Sequence, residues 1–121
     1  MLTLKWFFVL ILFLAILAIL AGQLGIFKGI VPNDLGVVEG RLRLPADTPN
    51  SVSSQADLYP DHPQHGYARI EPLPLVGDSK SVLDKIKSII EVMPGSKVVI
   101  YQEHYLYVQF TTRVMKFVDD A

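Results

Sequence analysis

The sequence predicts an α+β protein in which an N-terminal single transmembrane helix is followed by a small domain, with one amphipathic helix packed on an antiparallel sheet. Three observations predict this class. An uncharged apolar run lies near the N-terminus, apolar residues recur at helical spacing after residue 78, and two segments after residue 95 are rich in β-forming residues.

The apolar run covers 22 residues, 6–27, without a charge. As a helix it would be about 33 Å long, enough to cross the hydrocarbon core of a bilayer. A buried helix of a soluble protein this small would carry a polar face, whereas the first polar residue in the run is Gln23. A cleaved signal peptide is the alternative, but its apolar core is shorter, and a lipoprotein signal would need cysteine at Gln23. We therefore expect residues 1–28 to be a retained anchor.

One face of this helix is lined by small residues: Ala15, Ala18, Gly22 and Gly25. Small residues at this spacing let two membrane helices approach closely, so the face predicts packing against another helix. The alternative is that alanine and glycine are simply common in membrane spans. The expected partners are the lipid bilayer and other transmembrane subunits of a larger complex.

The charges around the span are few. Lys5 precedes it, and Lys28, Arg41 and Arg43 follow, so the positive-inside rule does not choose an orientation. Because the short N-terminal tail cannot hold a domain, the question is on which side residues 33–121 lie. The expected arrangement is a bacterial inner-membrane protein with its N-terminus inside and its domain on the periplasmic side.

The charge balance of the remaining chain excludes some functions. Beyond Pro32 there are nine Lys and Arg residues against twelve Asp and Glu residues, a net charge of −3. The clustered basic footprint of a nucleic-acid-binding protein is missing from this sequence. The chain has no cysteine, which excludes disulfides, thiolate metal sites and thiol catalysis.

Residues 29–66 are predicted to be an extended connector, punctuated by proline at positions 32, 45, 49, 60 and 63. Only residues 36–44 alternate well enough for a short strand. A connector of this length inside a compact domain is uncommon, and such segments are usually functional, bound to a partner or disordered.

Residues 67–121 form the predicted α+β domain. Residues 69–75 contain two prolines and could form only an edge strand. Asp78 or Ser79 can cap a helix that begins near Lys80, and Pro94-Gly95 ends it. Strands are predicted at 97–101 and 105–112, with a third at 114–118.

The densest polar cluster contains four weak candidate metal ligands: Asp57, Asp61, His62 and His65. Imidazole and carboxylate groups suit zinc or a similar ion. The favoured interpretation is a solvated proline-rich loop without a metal, because Pro63 disfavours the helix that would align the histidines. Likewise Asp119 and Asp120 could hold a cation, but a frayed acidic tail is expected.

Other polar groups give no catalytic motif. Ser53 and Ser54 lack the strand–turn–helix setting of a nucleophile elbow. Tyr101, Tyr105 and Tyr107 are expected to form an exposed aromatic strip. We therefore expect no enzymatic activity and no cofactor.

Four segments and the amphipathic helix follow one another in an order that resembles the bacterial family called domain of unknown function 1499. The segments are "GIFKGIVPNDLGVVEGRLRLPADTPNSVSSQA" and "RIEPLPLVGD" before the helix, and "YLYVQFTT" and "FVDD" after it. The resemblance covers nearly everything after the anchor, and it implies a small exported or membrane-anchored domain with no established activity. Family members usually carry a cysteine pair where this chain has Pro45 and Ser51. They also usually continue past "FVDD" into further strands rich in Arg and Ser, whereas this sequence stops at Ala121. The resemblance therefore implies a truncated, cysteine-free member.

Together these features lead us to expect a non-catalytic single-pass accessory subunit of a larger bacterial membrane complex, with respiratory, photosynthetic and oxidative complexes as the candidates. The alternative is a membrane-tethered periplasmic domain that binds a ligand or a metal.

Overall fold

The structure, a computed structural model, describes residues 2–121. The helices are α1 (Leu2–Gln23), α2 (His65–Ala68) and α3 (Ser79–Glu91), and a 3₁₀ turn covers Ala56–Leu58. The strands are β1 (Ser96–Gln102), β2 (Tyr105–Thr111) and β3 (Val118–Asp120). The predicted α+β class, with an apolar N-terminal helix ahead of a three-stranded antiparallel sheet, is confirmed.

Helix α1 is long and apolar enough to cross a membrane. Within the segment Leu4–Gln23, an 18-residue window has a mean hydropathy of 2.8, and none of that window is buried by the rest of the chain. The helix ends four residues before the predicted end of the apolar run, because Gly25 takes a left-handed backbone with φ of 81°. Gly25 therefore does not continue the helical face of Ala15, Ala18 and Gly22, and that part of the prediction is wrong.

Helix α3 begins where the sequence predicts. Asp78 is the N-cap, and its Oδ1 accepts a hydrogen bond of 2.9 Å from the amide of Ser81. The helix ends at Glu91, and the chain then turns through Gly95, whose φ is 82°. A Cβ on Gly95 would lie 2.5 Å from the carbonyl oxygen of Thr111, so this turn requires glycine.

The sheet has the order β1–β2–β3, with both pairs antiparallel. Val98 pairs with Val108, and an irregularity between Val98 and Ile100 shifts the register of the outer half of the hairpin. The third strand lies later than predicted, because residues 113–116 form a loop. Thr112 closes this loop by donating its amide to the carbonyl of Phe117, at 2.9 Å.

The other two predicted strands are wrong. Within 36–44 the described backbone makes one isolated bridge, Val38 to Arg41, across a turn in which Glu39 and Gly40 both have positive φ. In 69–75, Arg69 forms an isolated parallel bridge with Ser53. The prolines of this segment have no amide proton to extend the ladder.

The core of the domain is thin. Among the described residues the buried apolar side chains are Ala56, Ala68, Tyr107 and Val108, and α3 contributes none that is fully buried. Helix α3 packs on β1 and β2, but its apolar face remains partly open. This incomplete burial leaves an open cleft beside the helix.

Candidate functional site

An open cleft of about 730 Å³ lies between α3, β2 and the connector. Helix α3 contributes Leu83, Ile86 and Ile90 to its lining, which recur at helical spacing and so share one face. Strand β2 contributes Leu106 and Val108. The connector contributes residues 42–46 and 50–54. The cleft is apolar where helix and sheet meet.

A polar cluster on β2 and β3 lies at the border of this cleft. The Tyr107 hydroxyl donates to Oδ1 of Asp120 at 2.8 Å, and Gln109 Nε2 donates to the Tyr107 oxygen at 3.0 Å. Burial raises the pKa of Tyr107, and the hydrogen bond to Asp120 raises it further. The predicted frayed tail is wrong, because Asp119 and Asp120 belong to β3 and pair with β2.

The predicted exposed tyrosine strip is also wrong. Tyr107 is only 3% exposed. Tyr101 pairs with Leu106, so it lies on the opposite face of the sheet from Tyr107. On that face its hydroxyl donates to Asp84 of α3, and Lys87 Nζ lies 5.6 Å from the centre of its ring. The hydrogen bond from Tyr101 lowers the pKa of Asp84, and the bond from Lys80 lowers it further.

The four candidate metal ligands do not come together. His65 Nε2 lies 3.1 Å from Oδ1 of Asp57, whereas His62 Nε2 lies 3.4 Å from Oδ1 of Asp47. Arg69 Nε contacts both oxygens of Asp57, at 3.0 and 3.1 Å, and this contact lowers the pKa of Asp57. Within residues 2–121 no group of three or more His, Asp and Glu side chains could hold a metal ion, and Asp61 joins none.

Arg69 is a member of this cluster that the sequence analysis missed. Its guanidinium places a fixed positive charge where a cation bound to Asp57 would lie, so it competes with any metal for that carboxylate. The spacing between Asp57 and Arg69 matches no known sequence motif. The two side chains come together because the chain turns back between the 3₁₀ segment and α2.

Comparison with known proteins gives one match. A family model described as "Protein of unknown function (DUF1499)" matches residues 41–121, two thirds of the chain. The chain belongs to the DUF1499 family. No curated protein and no solved structure matches it. The DUF1499 region includes α3, the sheet and the connector residues 42–54, so it contains nearly all of the cleft and leaves α1 outside.

The connector serines of the DUF1499 region hold turns. Ser51 Oγ accepts the amide of Ala46 at 2.7 Å, and Ser53 Oγ accepts the amide of Gln55 at 3.1 Å. The amide of Ser53 donates to the carbonyl of Ala68 at 2.7 Å. These bonds join the connector to the domain by its backbone, so the cleft wall made by residues 50–54 is part of the fold.

The end of α1 contacts the DUF1499 region directly. Gly22 is buried against the backbone of Met115, and a Cβ on Gly22 would lie 2.5 Å from the Met115 carbonyl oxygen. The side chain of Gln23 donates to the carbonyl of Val114 at 2.7 Å. The rings of Phe27 and Phe117 lie 5.4 Å apart. Gly22 is therefore covered by this chain's own domain, and α1 retains Ala15 and Ala18 as the small residues of the predicted helix-packing face.

Proposed function

We propose that this protein is a non-catalytic single-pass accessory subunit of a larger bacterial membrane complex. The observation that carries the proposal is the incomplete burial of α3. Its apolar residues recur on one face, yet none is fully buried by the described chain. An amphipathic helix is stabilised by covering its apolar face, and a second protein chain would complete that cover.

Exposed apolar side chains near α3 extend the same surface. Leu73 and Val76 lie just before the helix and are 82% and 80% exposed, while Ile89 on the helix is 61% exposed. Single exposed apolar residues are ordinary, but several on and beside one helix form the kind of patch that marks protein contacts. This patch supports association through the domain.

Helix α1 supports association within the membrane. Ala15 and Ala18 remain available on one face, and small residues at membrane-helix interfaces permit close backbone approach. We place the domain on the periplasmic side of the inner membrane. A protease test checks this orientation. Protease added to cells whose outer membrane has been permeabilised should remove the domain if it lies in the periplasm.

The polar groups of the cleft support a non-catalytic role. Tyr107, Gln109 and Asp120 bond to one another, and the connector serines bond to neighbouring amides. Nucleophilic catalysis needs a nucleophile within hydrogen-bonding reach of a base that is itself oriented by a third group. Ser79 Oγ lies 3.1 Å from Nδ1 of His104, but Nε2 of His104 lies 3.9 Å from the Glu103 carboxylate, too far for a hydrogen bond that would orient the ring.

The experiment is native co-purification of the full chain from membranes in mild detergent, using a C-terminal tag. We expect one defined large complex. Ile89→Glu should release the chain from it, whereas Ser88→Glu, an equal charge change at the neighbouring exposed position, should not. Recovery of the wild-type chain as a small species without a partner would overturn the proposal.

A second pair of variants tests the membrane helix. Ala15→Leu with Ala18→Leu enlarges the small face, and Leu14→Phe with Leu17→Phe enlarges the opposite face. Only the first pair should weaken the complex. Equal effects of the two pairs would remove α1 from the interface and leave the domain as its only contact.

The cleft favours one alternative, a membrane-tethered domain that binds an apolar ligand. Its volume of about 730 Å³ lies within the usual range of ligand sites, and such sites are mostly apolar with a few polar groups. Native mass spectrometry would distinguish the two proposals. A small molecule retained by wild type and lost in Ile86→Phe, which fills the cleft, would favour ligand binding.

A further inference from the structure

The contact between α1 and the domain fixes the position of one loop relative to the membrane. Residues 113–116 connect β2 to β3, and Met115 packs on Gly22 in the last turn of α1. The segment Leu4–Gln23 has 20 residues, so as a helix it is about 30 Å long, close to the thickness of the hydrocarbon core. Its final turn therefore lies at the membrane–water boundary, and the loop lies at the same depth.

The composition of the loop suits that boundary. Val114 is 53% exposed and the adjoining Phe117 is 45% exposed. Arg113 and Lys116 alternate with these apolar residues, and Lys28 follows the end of α1 directly. Within the described chain none of these three cations forms an ion pair. Apolar side chains beside unpaired basic ones are typical of a surface that inserts shallowly among lipid headgroups.

A depression beside the loop places the two cations together. It is lined by the turn after α3 and by the end of β2, and Arg113 and Lys116 both border it. Asp119 also borders it and partly offsets their charge. Lys116 has a left-handed backbone with φ of 57°. This conformation is uncommon for a residue other than glycine, asparagine or aspartate.

We propose that the loop of residues 113–116, together with Phe117, is a membrane-binding surface that takes anionic phospholipid headgroups through Arg113 and Lys116. Two observations indicate that the surface binds anionic phospholipid. The loop is continuous with the membrane helix through Gly22, Gln23 and Phe27, and its charge is complementary to an anionic leaflet. This surface is separate from the α3 surface of the proposed function. It depends only on α1 crossing a membrane.

The test uses site-directed spin labelling of the full chain, which has no native cysteine to interfere. Single cysteines replace Val114 in the loop, Glu103 in the turn at the other end of β2, and Leu14 in the middle of α1. Each labelled chain is reconstituted into vesicles of phosphatidylcholine alone and of phosphatidylcholine with phosphatidylglycerol. Accessibility to oxygen and to a water-soluble nickel complex then reports the depth of each label.

We expect the Leu14 label to be deep, the Val114 label to lie at the headgroup boundary and the Glu103 label to be accessible to the nickel complex. Phosphatidylglycerol should move the Val114 label inward. Each basic side chain near an anionic surface favours the membrane-bound position of the loop about fivefold over the free one. Added salt should reduce this preference.

The charge variant is Arg113→Gln with Lys116→Asn, since asparagine tolerates the left-handed backbone. It should abolish the difference between the two vesicle compositions at Val114 and leave the Leu14 label unchanged. A Val114 label fully accessible to the nickel complex, with Leu14 deep, would overturn the proposal, as would a depth insensitive to phosphatidylglycerol. A water-accessible Leu14 label would overturn both the loop proposal and the membrane span. The co-purification result bears only on the accessory role.

Discussion

Gly22 and Met115 touch backbone to backbone, because the glycine has no Cβ and the carbonyl oxygen of Met115 occupies the space where one would lie. Gln23 reinforces this contact by its bond to the neighbouring carbonyl of Val114. Helix α1 and the β2–β3 loop therefore form one continuous unit. Without this contact only the segment after Phe27 would join the anchor to the domain.

Gly22→Ala should loosen this junction. Alanine favours an isolated helix by about 1 kcal/mol over glycine, but the new Cβ would meet a backbone oxygen at 2.5 Å, and overpacking of this kind costs about 1–3 kcal/mol. We expect the amide of Phe117, which donates to Thr112 Oγ1 at 3.0 Å, to exchange with solvent faster. Hydrogen exchange followed by mass spectrometry of the loop measures this.

Gly66→Ala is the matched control, because a Cβ there would meet nothing within 4 Å. It should leave exchange in the loop unchanged. Equal protection of the loop in wild type and Gly22→Ala would mean that the loop does not depend on the helix for its order.

Acidification should weaken the cluster of Asp57, His65 and Arg69. The pKa of Asp57 is lowered in the folded state, chiefly by Arg69 and then by His65. Its contribution to stability is therefore present above the unfolded pKa of about 3.9 and is lost as the pH falls through the lower folded value. Urea unfolding at neutral and acidic pH should show a smaller acid-induced loss for Asp57→Asn than for wild type.

Arg69→Gln removes the first cause of the lowered Asp57 pKa and should likewise reduce the acid-induced loss. High salt should diminish the difference between wild type and both variants, since the pair is exposed. Parallel acid profiles for all three chains would contradict this assignment.

The features that the sequence predicted correctly are those with a local signal. Helix α3 combines a capping aspartate with helical periodicity, and the β1–β2 hairpin has β-forming residues on both sides of a short turn. The contact of Gln23 with Val114 joins residues 91 positions apart, and a single long-range contact leaves no periodic pattern. Tyr101 and Tyr107 were misplaced because strand register, which sets the face of each side chain, is decided by turn length and pairing.

The residues of the candidate site also fall into those with a local sequence signal and those without one. The apolar residues of α3 that line the cleft were recognisable from their spacing, but the connector wall was not, since it depends on backbone pairing between Ser53 and Ala68. The four suggested metal ligands are close in sequence, yet the turn beside Pro63 directs His62 to Asp47 and leaves His65 with Asp57. Closeness in the loop sequence therefore grouped two histidines that the structure places beside different aspartates.

Asp78→Ala should destabilise the domain by removing the N-cap of α3. The lost bond is the one that the Ser81 amide donates to Asp78, and such a change costs about 1 kcal/mol. Asp78→Asn should retain most of the stability, since asparagine caps about as well. Lys85→Ala, at an exposed position within the same helix, serves as the control in urea unfolding. A loss no larger for Asp78→Ala than for Lys85→Ala would contradict the capping role.

Tyr107→Phe should remove a side-chain hydrogen bond between β2 and β3 while preserving the packing of the ring. The buried hydroxyl donates to Asp120 and accepts from Gln109, so the loss should be about 1 kcal/mol. The raised pKa of Tyr107 gives a second readout. Its contribution to stability is present below the unfolded pKa of about 10 and is lost as the pH rises through the folded value.

Wild type should therefore lose more stability in alkali than Tyr107→Phe, as measured by urea unfolding across the alkaline range. Ultraviolet titration of the tyrosines should lose one late-titrating component in the variant and keep that of Tyr101, whose pKa is also raised, chiefly by its hydrogen bond to Asp84. Tyr105→Phe changes the same residue type two positions earlier on the same strand and should leave both readouts nearly unchanged. If instead Tyr105→Phe matched Tyr107→Phe, the hydroxyl bond to Asp120 would add nothing to the backbone pairing that holds β3 against β2.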